Sequence, residues 1–357
     1  MKPRAGILGL GHWLPERVRT NDAWPAEFVA AHGKRTQAEF TEVRANPSGD
    51  AVDKLVARYA SEEAADPFLG TIRRRVADDD ETVHAAEIAA GRAALEDAGV
   101  DGRRVDLVIS YATIPDRITP SPATAIAHAI GATGALGIGM EGACASSVIG
   151  LDLAAAMIES GRARFVLLTH SHLMTRALPM AHPASPNIGD AATATLVGEV
   201  DRGGILATRA VSHGEYYDAV VIARRKGDAP LCHAGGPISV GSYDSEQALR
   251  LVRDTVRIGA MTVRETLDRA GLGPRDVDVM TSVQPREWVP RAIAEAAGMD
   301  PGIAVDTFKQ YAHLGACGPI VNLITARRAG RLKAGARVAL YGQGAGFTRA
   351  AAIVEWC

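Results

Sequence analysis

The sequence predicts an α/β protein built from two duplicated halves. The triplet Gly-Ala-Cys at residues 142–144 recurs at residues 315–317, and each copy opens an apolar segment of helical period. The register also holds upstream, where the segment 95–110 matches the segment 267–282 at an offset of 172 residues (95 to 267). Repeats that share their spacing indicate two similar units related by a pseudo-twofold axis. Equivalent helix starts, and the cysteines they carry, would then meet at one centre.

Strands and helices alternate along both halves. Strands are predicted at 105–113, 164–169, 277–283 and 336–341, and helices at 84–98, 145–160, 246–270, 287–297 and 318–330. The strand segments are rich in β-branched residues and the helical segments carry apolar faces, a pattern typical of buried sheets covered by helices. We expect an N-terminal half at 1–199 and a C-terminal half at 200–357. The polar segment 25–69 is interpreted as an insertion or lid, partly helical, on the rim of the first half; a mere solvated decoration is the alternative.

Composition excludes several classes of function. The 357 residues are 47% hydrophobic, and their net charge is −2 with dispersed basic residues, which argues against nucleic acid or an anionic membrane as a partner. The apolar stretch at the start is too short for a signal peptide, and no run of about 18 apolar residues could span a bilayer. The four cysteines, Cys144, Cys232, Cys317 and Cys357, lack the spacing of a disulfide framework or a zinc site. A cytoplasmic location and no bound metal are expected.

Cys144 is the candidate nucleophile. It precedes a predicted helix, and the positive end of a helix dipole together with its unpaired N–H groups favours a thiolate. A thiolate in that position suits covalent catalysis. The alternative is a buried packing cysteine, because free cysteine is among the most buried residue types.

Three motifs in combination resemble the ketoacyl synthase III branch of the thiolase superfamily. They are the segment around Cys144, the run 189–198 and the glycine-rich run 341–348. The resemblance extends over the chain except for the insertion at 25–69. It implies a five-layer αβαβα thiolase-like fold, a homodimer, no bound cofactor, and a cysteine that takes an acyl group from coenzyme A or an acyl carrier protein.

The resemblance also assigns roles by position. Cys144 stands at the nucleophile position, and the backbone N–H groups of Cys144 and Ala345 would form the oxyanion hole. Arg176 matches an arginine that contacts coenzyme A in relatives, with an ordinary surface arginine as the alternative. Cys317 falls where the family has no nucleophile and is expected to be a core residue.

The resemblance breaks at the histidine of the family's His-Gln-Ala-Asn motif. That histidine is Val283 here, while the glutamine survives as Gln284, a tentative substrate-binding residue. The family asparagine aligns with His313. A single histidine near a cysteine can activate the thiol and later an acceptor hydroxyl, so we expect His313 to be the general base. The other histidines, including His170, His172, His182 and His213, are expected to be core or surface residues.

This arrangement is similar to ester-forming acyltransferase homologues of polyketide tailoring pathways, such as the malonyl transferase of the cervimycin type. Relatives of that kind carry an aspartate five residues after the histidine, where this chain has Gly318; Asp306 and Asp116 remain open as a third triad member. Arg117 lies in a loop that reaches the partner subunit in the family, and its guanidinium would suit a malonyl carboxylate.

The resemblance implies an O-acyltransferase that moves an acyl unit, plausibly malonyl, from a coenzyme A or carrier-protein thioester to a hydroxylated small molecule without decarboxylation. Antibiotic biosynthesis would be its setting. Two alternatives remain: a carbon–carbon condensing enzyme with an altered site, and a non-catalytic selectivity factor that binds a carrier protein.

Overall fold

The computed structural model describes residues 3–34, 49–63, 66–224 and 238–357. The strands are β1 (Arg4–Trp13), β2 (Val18–Thr20), β3 (Arg73–Arg75), β4 (Leu107–Ala112), β5 (Leu136–Gly139), β6 (Phe165–His172), β7 (Ala191–Val200), β8 (Gly204–Ser212), β9 (Val221–Arg224), β10 (Ile238–Gly241), β11 (Val279–Ser282), β12 (Ala304–Val305), β13 (Arg337–Gly344) and β14 (Thr348–Glu355). The helices are α1 (26–34), α2 (Ala51–Glu63), α3 (Val83–Ala98), α4 (Pro122–Ala129), α5 (Ser146–Glu159), α6 (Ser245–Ala270), α7 (Val289–Ala296), α8 (Phe308–Tyr311) and α9 (Gly318–Arg328).

Two five-stranded sheets repeat one topology. The first has the strand order β1-β7-β6-β4-β5 and the second has the order β8-β14-β13-β11-β12. In each sheet the second strand is antiparallel to both of its neighbours, and the last three strands are parallel to one another. The duplication read from the sequence is therefore visible strand by strand.

Helices fill three layers around these sheets. The central layer is made by α5 and α9, whose apolar residues, among them Val148, Leu151 and Leu323, join one core between the two sheets. The helices α3 and α4 cover the outer face of the first sheet, and α6 and α7 cover the outer face of the second. This order of layers is the predicted five-layer αβαβα fold.

The predicted elements agree with the structure to within a few residues, for example α6 against the predicted 246–270. The glycines at 99 and 271 end α3 and α6 in the left-handed conformation (φ 63° and 68°), as expected for helix C-termini. The predictions missed the helix α4, short strands such as β2 and β12, and also the long strands β1, β7, β8 and β14. Short segments carry no readable period, but that reason does not apply to the long strands.

One expectation about the insertion is wrong. The segment 25–69 was placed on the rim of the first half, but α2 packs on the second half, against α6 and α7. Val56 and Tyr59 lie three residues apart on one helical face and join the core of that half, and the ring of Tyr59 stacks on Trp288 at 6.2 Å. Residues 35–48 and 64–65 of the segment lie outside the described residues.

Candidate active site

The two Gly-Ala-Cys triplets each form a 3-10 turn at the start of a central helix. The turn Ala143–Ala145 leads into α5, and the turn Gly315–Cys317 leads into α9. The side chain of Cys317 is fully buried, and its Sγ lies 3.5 Å from the carbonyl oxygens of His170 and Ala191. Cys317 is therefore the core residue that was expected, while the half-buried Cys144 is left as the reactive candidate.

Cys144 and His313 meet across the two halves. The Sγ of Cys144 lies 3.7 Å from Nε2 of His313. The loop that carries His313 is fixed to the first half by backbone hydrogen bonds, because His313 donates to the carbonyl of Asn187 (3.0 Å) and accepts from Gly189 (3.1 Å). Each half thus supplies one member of a thiol–imidazole pair.

The imidazole of His313 has a defined tautomer. Its Nδ1 lies 3.2 Å from the main-chain oxygen of Gln284. Because a carbonyl oxygen can only accept a hydrogen bond, Nδ1 carries the proton and Nε2 presents its lone pair to the thiol of Cys144. The geometry therefore suits His313 as a proton acceptor from sulfur.

The resting pair is neutral, which corrects the expectation of a thiolate. Burial, with a smaller contribution from the charge of Glu141, raises the pKa of Cys144 to about 12. Burial lowers the pKa of His313 to about 4, although its bond to the Gln284 carbonyl opposes that shift. Removal of water from around the sulfur outweighs the backbone hydrogen bond that lowers this pKa, so a thiolate forms as its proton moves to His313.

A glycine-rich turn lies directly against the backbone of Cys144. A Cβ atom on Gly344 would lie 2.6 Å from the carbonyl oxygen of Gly142 and 2.8 Å from the nitrogen of Cys144, so a side chain at this position would collide with backbone. This contact brings the turn containing Ala345 next to the N–H of Cys144. Two backbone N–H groups in such an arrangement can stabilise an oxyanion on a thioester bound to the sulfur.

Gln284 lies behind the imidazole rather than in a substrate cleft. Its side chain is fully buried, and its amide bonds to Thr307, Ala312 and Asn322. Two acceptor and two donor positions of the amide are filled, so the expected substrate-binding role does not fit this geometry.

Neither aspartate raised as a third triad member contacts His313. Asp116 interacts with the N-terminus of α3, at Val83 and His84, and Asp306 accepts from the backbone of Phe308. Within the described residues, the ring nitrogens of His313 have two hydrogen-bonding partners, Sγ of Cys144 and the carbonyl of Gln284.

A cleft of about 380 Å³ opens above His313. Its lining includes His32, His182, Asn187, Ile188, Arg286 and His313. His32 comes from α1, so the insertion contributes to the cleft, and Arg286 directly follows the Gln284-Pro285 pair. None of these cleft residues except His313 was selected from the sequence; only their position in space identifies them.

The two arginines selected from the sequence lie elsewhere in the chain. Arg176 pairs with Asp116 at 3.5 Å and donates to the carbonyl of Glu81. Arg117 lines a separate cavity of about 170 Å³ together with His84 and Asp116. That cavity shares no lining residue with the cleft above His313.

A second imidazole, that of His172, lies against the ring of His313. The ring of the buried His172 meets that of His313 at 5.6 Å with an interplanar angle of 71°. Its Nδ1 is 3.0 Å from Oγ1 of Thr113, and burial keeps its pKa well below the ordinary value. The burial of His172 agrees with its expected place in the core. Its contact with the His313 ring could not be read from a single histidine in a strand.

Within the part of the chain that the structure describes, no group of three or more His, Cys, Asp or Glu side chains is arranged to hold a metal ion. The described helices also include none whose length and apolar character would carry it through a bilayer. Cys232 lies outside the described residues.

The fold and the paired cysteine and histidine define a thiolase-like protein. Residues 138–214 match the family "3-Oxoacyl-[acyl-carrier-protein (ACP)] synthase III", and residues 267–356 match the corresponding C-terminal family. The chain belongs to this β-ketoacyl-[acyl-carrier-protein] synthase III family, as its similarity to individual members shows.

The relative from Alkalilimnicola ehrlichii, a β-ketoacyl-[acyl-carrier-protein] synthase III, is 32% identical over 80% of this chain and 88% of its own length. The synthase III of Rhodospirillum rubrum is 28% identical over 99% of both chains. The crystal structure of 3-oxoacyl-[acyl-carrier-protein] synthase III from Aquifex aeolicus superposes with a TM-score of 0.78 at 22% identity, covering 99% of this chain and all of the other. The last similarity supports the fold.

Proposed function

We propose that this protein transfers an acyl group, malonyl being the preferred candidate, from a coenzyme A or acyl-carrier-protein thioester to a hydroxyl of a small molecule, without decarboxylation. The observation that carries the proposal is the distance of 3.7 Å between Sγ of Cys144 and Nε2 of His313, with the apolar Val283 at the position of the family histidine. Cys144 is the nucleophile and His313 is the base.

The first half-reaction forms an acyl-enzyme. The thiol proton of Cys144 moves to Nε2 of His313 while Sγ attacks the thioester carbonyl carbon. The N–H groups of Cys144 and Ala345 hold the oxyanion, and a donor of this kind contributes ~3 kcal/mol to lowering the barrier. The carbon–sulfur bond of the donor then breaks, and the departing thiolate takes the proton from His313.

The second half-reaction forms an ester. The acceptor hydroxyl gives its proton to Nε2 of His313 as its oxygen attacks the acyl carbon on Cys144. When the tetrahedral intermediate collapses, Sγ leaves and recovers the proton from His313. A neutral imidazole can act in both steps because it returns to its starting state after each one.

Val283 disfavours decarboxylative condensation. Loss of CO2 from a malonyl thioester leaves an enolate, which needs hydrogen-bond donors at its oxygen. The side chain of Val283 is 1% exposed and offers no donor. A malonyl thioester bound opposite Cys144 would therefore lack the donor that the family histidine supplies, which disfavours condensation and agrees with a malonyl group that reaches the product as a half-ester.

A carbon–carbon condensing enzyme is the second candidate, and the names of the relatives favour it. The test supplies malonyl-coenzyme A labelled in the free carboxyl carbon, together with a mixture of hydroxylated metabolites. Label retained in an ester supports the proposal, whereas labelled CO2 with a carbon-extended product supports condensation. Cys144→Ala is the control for both products, and acylation of Cys144 without any turnover would indicate a selectivity factor.

The acyl carboxylate has two candidate partners. Arg286 lines the cleft above His313, and its charge also acts on the buried carboxyl of Glu63, whose pKa it lowers against the effect of burial. Arg117 could reach the same site only from the second subunit of a homodimer, and we propose such a dimer through the edge strand β5, where Leu136 and Ile138 are 59% and 38% exposed. We also propose that Arg176 contacts coenzyme A. The proposed location of the protein is the cytoplasm.

The dimer is tested by light scattering on the Leu136→Lys variant. A monomeric variant from a dimeric parent supports pairing through β5, and a dimeric variant would direct attention to another surface.

A further inference from the structure

Three buried polar side chains lie directly behind the His313 loop. They are Gln284, which follows β11, Thr307, which precedes α8, and Asn322, in the second turn of α9; we call them the amide clamp. Gln284 and Asn322 are fully buried and Thr307 is 5% exposed. Such groups are costly to bury unless every donor and acceptor is paired.

The members of the amide clamp satisfy one another. Oε1 of Gln284 accepts from the backbone N–H of Thr307 (3.0 Å) and from Nδ2 of Asn322 (2.9 Å). The hydroxyl of Thr307 donates to Oδ1 of Asn322 (2.8 Å) and accepts from Nε2 of Gln284 (3.3 Å). Nδ2 of Asn322 also donates to the carbonyl of Ser282 (3.2 Å). The orientation of each amide is therefore fixed.

Gln284 makes two hydrogen bonds to the loop that carries His313. Its main-chain oxygen accepts from Nδ1 of His313, and its side-chain Nε2 donates to the carbonyl of Ala312 (3.0 Å). Ala312 has φ 60° and ψ −154°, a conformation that only glycine adopts readily. The hydrogen bond from Gln284 therefore helps to stabilise an unfavourable backbone conformation at Ala312. Both the ring of His313 and the backbone that precedes it depend on Gln284.

Gly318 stands at the position where ester-forming relatives carry an aspartate, and it lies beside Gln284. A Cβ atom on Gly318 would lie 3.9 Å from Cγ of Gln284, and the ring atoms of His313 contact no acidic side chain among the described residues. The orienting partner of the imidazole is thus an uncharged peptide oxygen.

We propose that the amide clamp is the positioning element of the thiol–imidazole pair: it holds the Gln284 carbonyl so that His313 keeps its proton on Nδ1 and aims Nε2 at Cys144. The inference rests on the proposed function for its chemical purpose. An uncharged carbonyl fixes the tautomer and stabilises an imidazolium less than a carboxylate would, so burial still lowers the pKa of His313. Gln284, Thr307 and Asn322 are positioning residues that touch no substrate.

The test compares Thr307→Val, which removes the hydroxyl and keeps the shape, with Thr307→Ser, which keeps the hydroxyl. Thr325→Ala is the matched control, because among the described residues the Thr325 hydroxyl bonds to the carbonyl of Val321 in the same helix, at 2.8 Å, and to no member of the amide clamp. Imidazole ¹⁵N spectra report the tautomer of His313, assigned by comparison with His313→Asn. Mass spectrometry resolved by peptide reports the rate at which iodoacetamide alkylates Cys144.

We expect Thr307→Val to mix the two tautomers of His313 and to slow alkylation of Cys144 by up to ~100-fold, the cost of misplacing a reacting group by about 1 Å. Thr307→Ser should recover most of the rate, and Thr325→Ala should match the parent. A folded Thr307→Val protein that keeps the Nδ1–H tautomer and the parental rate overturns the proposal. If Thr307→Val does not fold, Asn322→Ala is read by the same criteria.

These readouts need neither a thioester nor an acceptor. Failure of the parent protein to form an acyl-enzyme would therefore count against the proposed function alone, while an unchanged tautomer in the variants counts against the clamp alone.

Discussion

Gly315 lies so close to His172 that a Cβ atom at Gly315 would overlap the Nδ1 atom of the histidine ring. Gly315 also has φ 53°, so both space and backbone conformation require glycine there. It follows His313 by two residues, and His172 packs edge-on against the His313 ring. The shape of the loop that carries His313 therefore depends on a second imidazole.

Gly315→Ala should lower both the stability of the protein and the rate of Cys144 acylation. The control is Gly330→Ala, because Gly330 has φ 69° with open space around it, so that variant incurs only the strain of ~1–2 kcal/mol for a left-handed residue. Thermal unfolding should show a larger loss for Gly315→Ala, and acylation should fall in that variant alone. Equal behaviour of the two variants would mean that His172 does not constrain the loop.

Cys144→Ala should abolish acyl-enzyme formation, while Cys317→Ala should leave it largely intact. Cys144 borders the glycine-rich turn, whereas Cys317 is enclosed in the core. Intact-protein mass spectrometry after exposure to malonyl-coenzyme A distinguishes the two. An acyl mass that persists in Cys144→Ala and disappears in Cys317→Ala would reverse the assignment between the repeats.

His313→Ala should slow transfer to the acceptor by ~100-fold or more, the usual scale for losing a general base. Self-acylation should also fall, because the raised pKa of Cys144 leaves almost no thiolate at neutral pH. Single-turnover kinetics with preformed acyl-enzyme separate the two steps. A transfer rate equal to that of the parent would remove His313 from the mechanism.

The rate of Cys144 acylation should stay level from pH 8 down to pH 5. His313 has a pKa of about 4, so its Nε2 remains unprotonated and able to accept a proton throughout that range. The rate should fall only as the pH passes below about 4, where the imidazole becomes charged. A decline centred near 6.5, the ordinary value for histidine, would show that His313 is more hydrated than its surroundings indicate.

Glu87→Gln should change how stability depends on pH. The carboxyl of Glu87 is enclosed and accepts from the hydroxyls of Ser110, Thr169 and Ser171, and burial raises its pKa to about 7. The folded state then binds a proton that the unfolded chain has released, so stability should fall as the pH rises from about 4.5 to about 7. Urea titrations should show that fall in the parent and a flatter profile in the variant; an equal slope in both would place the effect elsewhere.

Sequence and structure agree where the pattern is periodic. The duplication and the central helices could be predicted, because helical period, strand composition and a repeated triplet are local properties of the chain. Cys144 and His313 were paired through the family resemblance, and their atoms lie 3.7 Å apart. Contacts between distant segments could not be predicted. Gln284 was assigned to substrate, since nothing local shows that Thr307 and Asn322 would saturate its amide.

The helix α2 was assigned to the wrong half for the same reason. Its apolar face is readable in the sequence, but the partner of that face is not. His172 is buried, in agreement with its assignment as a core histidine. Its contact with the His313 ring could not be predicted, because a histidine in a strand looks the same whichever segment it faces.

The shared strand order of the two sheets has an evolutionary consequence. A duplicated gene begins with two equivalent reaction centres, one for each copy. Here the first copy presents its cysteine to the site and the second copy presents a histidine, although the second copy also retains a cysteine, Cys317, in the core. Neither copy could now be lost or exchanged independently, so natural selection must act on the two ancestral units as a single inherited enzyme.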